Sequence, residues 1–291
     1  MNATERSRVS VVVITRDRVE ELRRTLRTLR ELRPRPPVVV VDNASRDATP
    51  EMVRDEFPEV DLVRSETNRG AAARNTGVAR TRTPYVAFCD DDSWWYPGAL
   101  ERAADAFDVH PRLGLVAAGV YIGEEEREDP VNEALRDSPL EAEEDLPGPQ
   151  VLGFLACACV VRRSAFEQVG GFEPLLFFGG EEALLAQDLA ARGWGLCHLP
   201  RVHAHHKPSS VRPPGEWRLT LEERNALLTV WLRRGPRVVL LRTARAVARA
   251  VRDARTRRAL RLAVGSAPRV AVARRRLPAV VERDLALVEG T

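Results

Sequence analysis

The chain has 291 residues, 44% of them hydrophobic and 30% charged, enough for one large domain or a domain plus an appendage, with an adequate core. The longest nearly unbroken apolar run, Val151 to Val161, is too short to span a bilayer, and Met1 to Arg8 lacks the apolar core of a signal peptide, so a cytoplasmic location is expected. The net charge of +3 conceals an asymmetry: from Arg233 to Thr291 there are 16 arginines against four acids, so the body is acidic and the tail basic.

Val9 to Ile14 is a continuous β-branched run of the kind a strand buried on both faces requires. Val19, Leu22, Leu26, Leu29 and Leu32 then recur at helical spacing until Pro34 stops the helix. The alternation repeats: strand at Val38 to Val41, helix at Pro50 to Phe57, strand at Val60 to Val63, helix at Gly70 to Arg80, strand at Tyr85 to Phe88. Such alternation predicts a parallel sheet flanked by helices with right-handed crossovers, whose ligands bind beyond the carboxyl ends of the strands. Thr15-Arg16-Asp17, Asp42 and Asp90 to Asp92 all fall at those ends and are expected to line one crevice.

A helix is predicted at Pro97 to His110 and a strand at Leu113 to Val120. Glu124 to Asp145, with eleven acids and two arginines and little periodicity, reads as a mobile surface excursion. Strands at Phe154 to Val161 and Trp194 to Leu199 bracket helices at Arg163 to Val169 and Glu181 to Arg192. A further helix runs from Glu216 to Arg233, and the tail beyond it alternates Arg with Val, Leu and Ala. Cys89, Cys157, Cys159 and Cys197 sit in apolar or strand-like surroundings without framework spacing and are expected as buried thiols.

The densest chemistry lies at Asp90-Asp91-Asp92-Ser93-Trp94-Trp95, where a strand delivers three consecutive carboxylates to one sheet edge. Adjacent acids repel unless solvated or neutralised by a cation, and oxygen ligation suits a hard divalent ion such as Mg²⁺ or Mn²⁺. The competing reading is a solvated turn or acidic helix start. Similar alternatives stand elsewhere: turn roles for Asp42 and Asn43, a surface role for Arg74, helix N-terminal charge for Glu181 and Glu182. The histidines His203, His205 and His206 can equally be a plain surface cluster or, with Cys197 and His198, a zinc group whose spacing matches no usual pattern.

In their order and spacing several motifs over about residues 9 to 210 resemble the family 2 glycosyltransferases. They are Ser10-Val11-Val12-Val13-Ile14-Thr15-Arg16-Asp17-Arg18, Val41-Asp42-Asn43-Ala44-Ser45, Asn68-Arg69-Gly70-Ala71-Ala72-Ala73-Arg74-Asn75-Thr76-Gly77, Asp90-Asp91-Asp92, Gly170-Gly171-Phe172, Gly180-Glu181-Glu182 and the histidines after Pro200. The resemblance implies a GT-A fold, an α/β Rossmann-like, mostly parallel sheet flanked by helices, over residues 1 to 215, with a helical, Arg-rich extension over residues 216 to 291. It implies a nucleotide-diphosphate sugar donor, a hydroxyl-bearing acceptor (glycan, lipid-linked glycan or small molecule), a divalent metal, Mn²⁺ or Mg²⁺, and inverting transfer of a hexosyl or deoxyhexosyl unit.

By the same resemblance Asp17 and Asp42 hold the base and ribose, Arg74 lies near the nucleotide, and Thr15 acts mainly through its backbone. Asp90, with Asp91, contacts the ribose, while Asp92 reaches the metal, with His205 as further ligand and His206 as the next choice. Glu182 matches the general base, where relatives usually carry Asp; Leu184 stands where an acid is common and Asp188 where Arg is common. Trp94, Trp95 and Glu181 are acceptor-side candidates, aromatic faces packing well on sugars, although core packing suits at least one of the two indoles. The basic tail is read either as a surface for anionic membrane at the inner face or as a helical face packed on the body; no motif supports nucleic acid binding. Two other functions compete: a catalytically silent GT-A-like scaffold in glycan assembly, and a nucleotidyltransferase, which would need a Gly-rich phosphate loop that Thr15-Arg16-Asp17 does not provide.

Overall fold

The computed structural model describes residues 7–209 and 215–290. The N-terminal stretch read for a leader falls largely outside the described residues. β1 (Val9–Thr15) is the expected β-branched strand, paired in parallel with β2 (Val38–Asp42) and β4 (Tyr85–Asp90). Between β1 and β2 runs α1 (Val19–Glu31), burying Leu22, Leu26 and Leu29 at helical spacing. α2 (Thr49–Glu56), opened by Pro50, leads to β3 (Asp61–Arg64). A 3₁₀ turn at Gly70–Ala72 precedes α3 (Ala73–Arg80), which lies on β1 and β2. Gly77 permits that approach, since a Cβ there would stand 2.3 Å from Val12 Cγ1.

The rest of the sheet is mixed. After β5 (Ser93–Trp95), α4 (Ala99–Val109), β6 (Leu113–Ile122) and the short β7 (Arg127–Glu128) come α5 (Val131–Arg136) and β8 (Cys159–Arg162). α6 (Arg163–Val169), α7 (Glu181–Ala191) and β9 (Gly195–His206) complete the body. The spatial order is β3-β2-β1-β4-β8-β6-β9-β5, with β7 on β6. β8 is antiparallel to both neighbours, and β5 is antiparallel to β9, so β9 runs well past the predicted Leu199 to reach His206. One core lies on the α1, α2 and α4 side of the sheet; the other lies on the α3, α6 and α7 side. All four cysteines are buried and free.

The acidic stretch from Glu124 is more ordered than its composition suggests. Asn132 is buried and exchanges two hydrogen bonds with Val120, at 2.9 Å each, while Leu135 and Leu140 are buried. Three side chains thus anchor a segment whose charges face water. Phe154 to Ala158 forms no strand but an approach ending in a 3₁₀ turn, with pairing starting at Cys159.

The basic tail folds onto the body as α8 (Gly215–Arg233), α9 (Pro236–Ala250), α10 (Ala254–Gly265), α11 (Ala267–Ala273) and α12 (Ala279–Val288). Leu184 of α7 joins Leu228 and Leu232 of α8, Ala263 of α10 and Val270 of α11 in one apolar cluster, and α12 buries Val281 and Leu285 against Leu140 and Leu152. Arg233 of α8 is buried in a bidentate ion pair with Asp188 of α7, with Nη2 2.8 Å from Oδ2. Among the described residues no helix is long and apolar enough to cross a membrane.

Candidate active site

The carboxyl ends of β1, β2 and β4 bring their acids to one edge, as strand polarity in a parallel sheet requires. Asp42 ends β2 fully buried: Oδ1 accepts from the Ser45 amide at 2.9 Å, while Oδ2 makes no hydrogen bond and stands 3.4 Å from Arg64 Nε. A buried carboxylate oxygen without a donor is costly, so Oδ2 is an acceptor that a ligand N–H or O–H would satisfy. Asp17 is exposed with a left-handed backbone (φ 54°), held by Ser45 Oγ on its amide and by its own Oδ1 accepting from the Arg46 amide. The side chain of Thr15 is engaged as well as its backbone: its carbonyl accepts from Asn43, and its hydroxyl donates to Asp91 Oδ2 at 3.0 Å.

Each of the three consecutive acids has a different environment. Asp90 accepts from the buried guanidinium of Arg74. Asp91 is buried, accepting from Thr15 and, at 2.8 Å, from Arg18 Nη1. Burial pushes its carboxyl up to about 7 against the pull of Arg18, with Asp92 adding repulsion. Asp92 goes the other way: burial would raise it, but hydrogen bonds from His206 and the Ser209 amide, together with Arg18, hold it below the usual carboxylate range. Part of the positive charge that can neutralise this cluster is thus supplied by Arg18 and Arg74.

His206, not His205, faces Asp92, with Nε2 3.5 Å from Oδ1. The reason is strand alternation: β9 pairs Ser93 with His206 and Trp94 with His205, so the two rings leave opposite faces. His205 instead stacks on Trp94, centroids 4.3 Å apart, and burial lowers its pKa. Trp95, offered as an acceptor platform, is wholly buried in the core, and Trp94, the other candidate, is half-buried and packs on His205, on the face of β9 that His206 and Asp92 do not share. Among the described residues no three His, Cys, Asp or Glu side chains form a metal-ligand group. His198 is a core residue bonded to the Ala117 carbonyl, which removes the Cys197–His198 zinc reading.

On the other wall, α7 begins with Glu181 and Glu182 after Gly179 and Gly180, both glycines left-handed at φ 83°. Glu181 is buried with Oε2 unpaired; burial and then the neighbouring Glu182 push it up to about 8. Glu182 is half-buried and also raised by burial, against the backbone amides of its own residue and Ala156 and the charge of Arg74. Arg74 ties the walls together. Burial works against its charge, but Asp90, Glu181 and Glu182 outweigh that and hold it above the usual guanidinium value.

Three supports were not singled out from the sequence. Arg18 belongs to the first motif but carried no assigned role. Asn225 of α8, completely buried, donates through Nδ2 to the carbonyls of Leu176 (2.8 Å), Phe178 (2.9 Å) and Gly179 (2.6 Å), fixing the loop that launches α7. That loop also touches the β2 side, because Ala71 donates its amide to the Phe177 carbonyl at 2.7 Å. Gly70 allows this contact: it is left-handed (φ 58°), and a Cβ there would lie 2.0 Å from that carbonyl. Only the Asn and Gly residue types hint at such roles in the sequence.

Comparison with known proteins identifies the family and the fold. An N-acetylglucosaminyl-diphospho-decaprenol L-rhamnosyltransferase of Mycobacterium tuberculosis is 28% identical over 240 residues, covering 69% of this chain and 76% of that protein. A pre-mycofactocin glycosyltransferase of the same organism is 34% identical over 220 residues, 70% of this chain but 44% of that protein. In structure, a mannosyltransferase from Pyrobaculum calidifontis, solved with GDP-Man and Mn²⁺, superposes with a TM-score of 0.61 at 21% identity over 98% of this chain and 80% of its own. S. aureus TarS 1-349 with UDP-GlcNAc gives 0.60 at 18% identity over 76% and 66%. These likenesses establish the GT-A fold, and the profile of Glycosyl transferase family 2 matches residues 10–170. The chain belongs to glycosyl transferase family 2 and is a glycosyltransferase.

Proposed function

We propose that this glycosyltransferase moves a sugar from a nucleotide-diphosphate donor to an acceptor hydroxyl by a single, inverting displacement, with Glu182 as general base and a divalent metal held by Asp92 and His206. The observation that carries the reading is Arg74, a buried cation set between the donor-side Asp90 and the acceptor-side Glu181 and Glu182. A charged bridge with acids on both sides supports a candidate base on one wall and a nucleotide edge on the other. Asp42 Oδ2, lacking a donor of its own, is suited to the base or ribose, and Asp17 stands beside it through their shared partner Ser45.

The donor set supports Mn²⁺ or Mg²⁺. Asp92 supplies oxygen and His206 nitrogen, a pairing that favours Mn²⁺ over Mg²⁺, and a donor diphosphate would complete an incomplete protein ligand set. When bound, the ion neutralises charge developing on the departing nucleotide diphosphate. Glu182 takes the acceptor hydroxyl proton as its oxygen bonds to the anomeric carbon and the bond from that carbon to phosphate breaks. A raised carboxyl pKa suits this work, because it makes the ionised carboxylate a stronger proton acceptor. The acceptor class proposed is a lipid-linked glycan, by analogy with the rhamnosyltransferase relative named for a diphospho-decaprenol substrate.

A thermal-shift screen of nucleotide sugars with Mn²⁺ identifies the donor, since a bound donor stabilises the folded state by mass action. Glu182→Gln then lowers single-turnover transfer by about 10²–10⁴-fold with donor affinity near normal. Wild-type rates in that variant would move the base elsewhere. Asp188 would not inherit the role, because Arg233 occupies both its oxygens.

A further inference from the structure

α9 is built inside out. Leu240, Ala244, Val247 and, at the C-cap just past the helix with helical backbone angles, Val251 recur at i, i+4, i+7 and i+11, so they form one stripe, and that stripe faces water: Leu240 is 73% exposed, Val247 50% and Val251 73%. The only buried residue of the helix is Ala250. The opposite stripe, Arg242, Arg245, Ala246 and Arg249, lines a cleft of about 740 Å³ between α7, α8, α9 and α12. Scattered surface aliphatics mean little, but an exposed apolar stripe backed by arginines on the cleft side is the reverse of what a helix packed on a body in water shows.

The cleft has an amphiphilic lining. Its walls include Ala183, Ala226, Leu227 and Val230, and Gly180, the residue before Glu181 and Glu182. They also include three acids already paired with arginines: Glu222 with Arg218, Glu223 with Arg255, and Glu289 with Arg234 and Arg242. Gln187, 6% exposed, contributes a side-chain oxygen with no partner. Arg242 is paired with Glu289, but the side chains of Arg245 and Arg249 have no hydrogen-bond or carboxylate partner among the described residues. Both guanidiniums are exposed at the rim and free to meet an anion, and phosphate matches their planar donor geometry. Arg237 and Arg252, both exposed, flank the apolar stripe, so the outer face complements an anionic bilayer.

We propose that α9 seats the protein on an anionic membrane through Leu240, Val247 and Val251, and that the cleft beneath it receives the phosphate headgroup of a lipid acceptor between Arg245 and Arg249. The inference rests on the reading of Glu182 as base only for the direction in which that headgroup points. The occupant is a membrane lipid carrying a phosphomonoester or diphosphate, which brings its hydroxyl-bearing end toward Gly180.

Flotation of the full chain with phosphatidylcholine vesicles tests this, the vesicles carrying either phosphatidylglycerol or, at matched surface charge, a polyisoprenyl phosphate. Wild type binds both and prefers the polyisoprenyl phosphate. Leu240→Glu/Val247→Glu, confined to exposed positions, weakens binding to both vesicles. Arg245→Ala/Arg249→Ala loses the preference, by about 25-fold if each arginine contributes about fivefold. Melting temperatures verify that the variants remain folded. An undiminished preference in the arginine variant, or unchanged flotation of the stripe variant, overturns the proposal. So does full displacement from the polyisoprenyl-phosphate vesicles by soluble pyrophosphate, which would make the cleft a site for free phosphate. Because flotation needs neither donor nor turnover, failure of the Glu182→Gln test would leave this result standing, and the reverse also holds.

Discussion

Replacing Asn225 by aspartate separates the hydrogen-bond role of one buried amide from its size. The amide has two protons to share among the carbonyls of Leu176, Phe178 and Gly179, and its oxygen accepts from Arg224 Nε at 2.8 Å. Two net hydrogen bonds are worth about 2 kcal/mol, and stranding buried carbonyls adds about 1 kcal/mol, so Asn225→Ala should cost about 3 kcal/mol. Aspartate keeps the shape and keeps the bond from Arg224, but it turns a bare carboxylate oxygen toward three carbonyls. Its cost at neutral pH should equal or exceed that of alanine and should shrink on acidification, when the protonated acid can donate once. Because the loop launches α7, both variants should lower turnover, by about 10²-fold for a misplacement near 1 Å, while donor affinity stays near normal. Denaturant unfolding at two pH values and single-turnover transfer provide the readings. If the Asn225→Asp variant at neutral pH were as stable and active as wild type, the assignment of the amide as a three-carbonyl clamp would be refuted.

Other outcomes can be checked with the same material. The acid limb of the turnover profile should lie above the ordinary carboxylate range, since Glu182 must be ionised to act and burial raises its pKa; a limb near that of a solvated Glu would contradict this. Glu181 binds its proton more tightly folded than unfolded, so stability falls as pH rises from the ordinary Glu value through about 8, and Glu181→Gln should flatten that decline in unfolding titrations. Asp92→Asn and His206→Ala should each remove most of the Mn²⁺-dependent gain in donor affinity measured by calorimetry, whereas His205→Ala should not. Asp188→Ala should cost about 3–5 kcal/mol by stranding Arg233, and Asp188→Leu/Arg233→Met should cost less than the single change; additive losses would argue against a coupled pair.

Much of this was legible in the chain because parallel strands place their ends predictably. The β-prone runs ending at Thr15, Asp42 and Asp90 sufficed to predict one acidic edge. What could not be read depends on alternation and distance. The register of β9 on β5 decides between His205 and His206, and a one-residue slip exchanges them. The burial of Trp95 follows from the same alternation. Arg18 reaches Asp91 across 73 positions and Asn225 reaches the α7 loop across 46 to 49, separations at which composition and periodicity are silent. In the tail, charge alone does not say which of the 16 arginines turn inward: Arg233 does so, onto Asp188 and the Ala273 carbonyl at 3.1 Å, because α7 and α11 bring those acceptors to it.

The Asp188–Arg233 pair also sets a rule for inheritance. An arginine at position 188, beside the present Arg233, would put two guanidiniums face to face in a site where the partner side chain is 6% exposed, a juxtaposition that neither solvent nor salt can screen. The two positions therefore cannot drift singly. A lineage that carries Arg at 188 must hold an acid or a neutral residue at 233, and the pair should appear among related chains as a linked exchange of charge, visible without any knowledge of what either chain glycosylates.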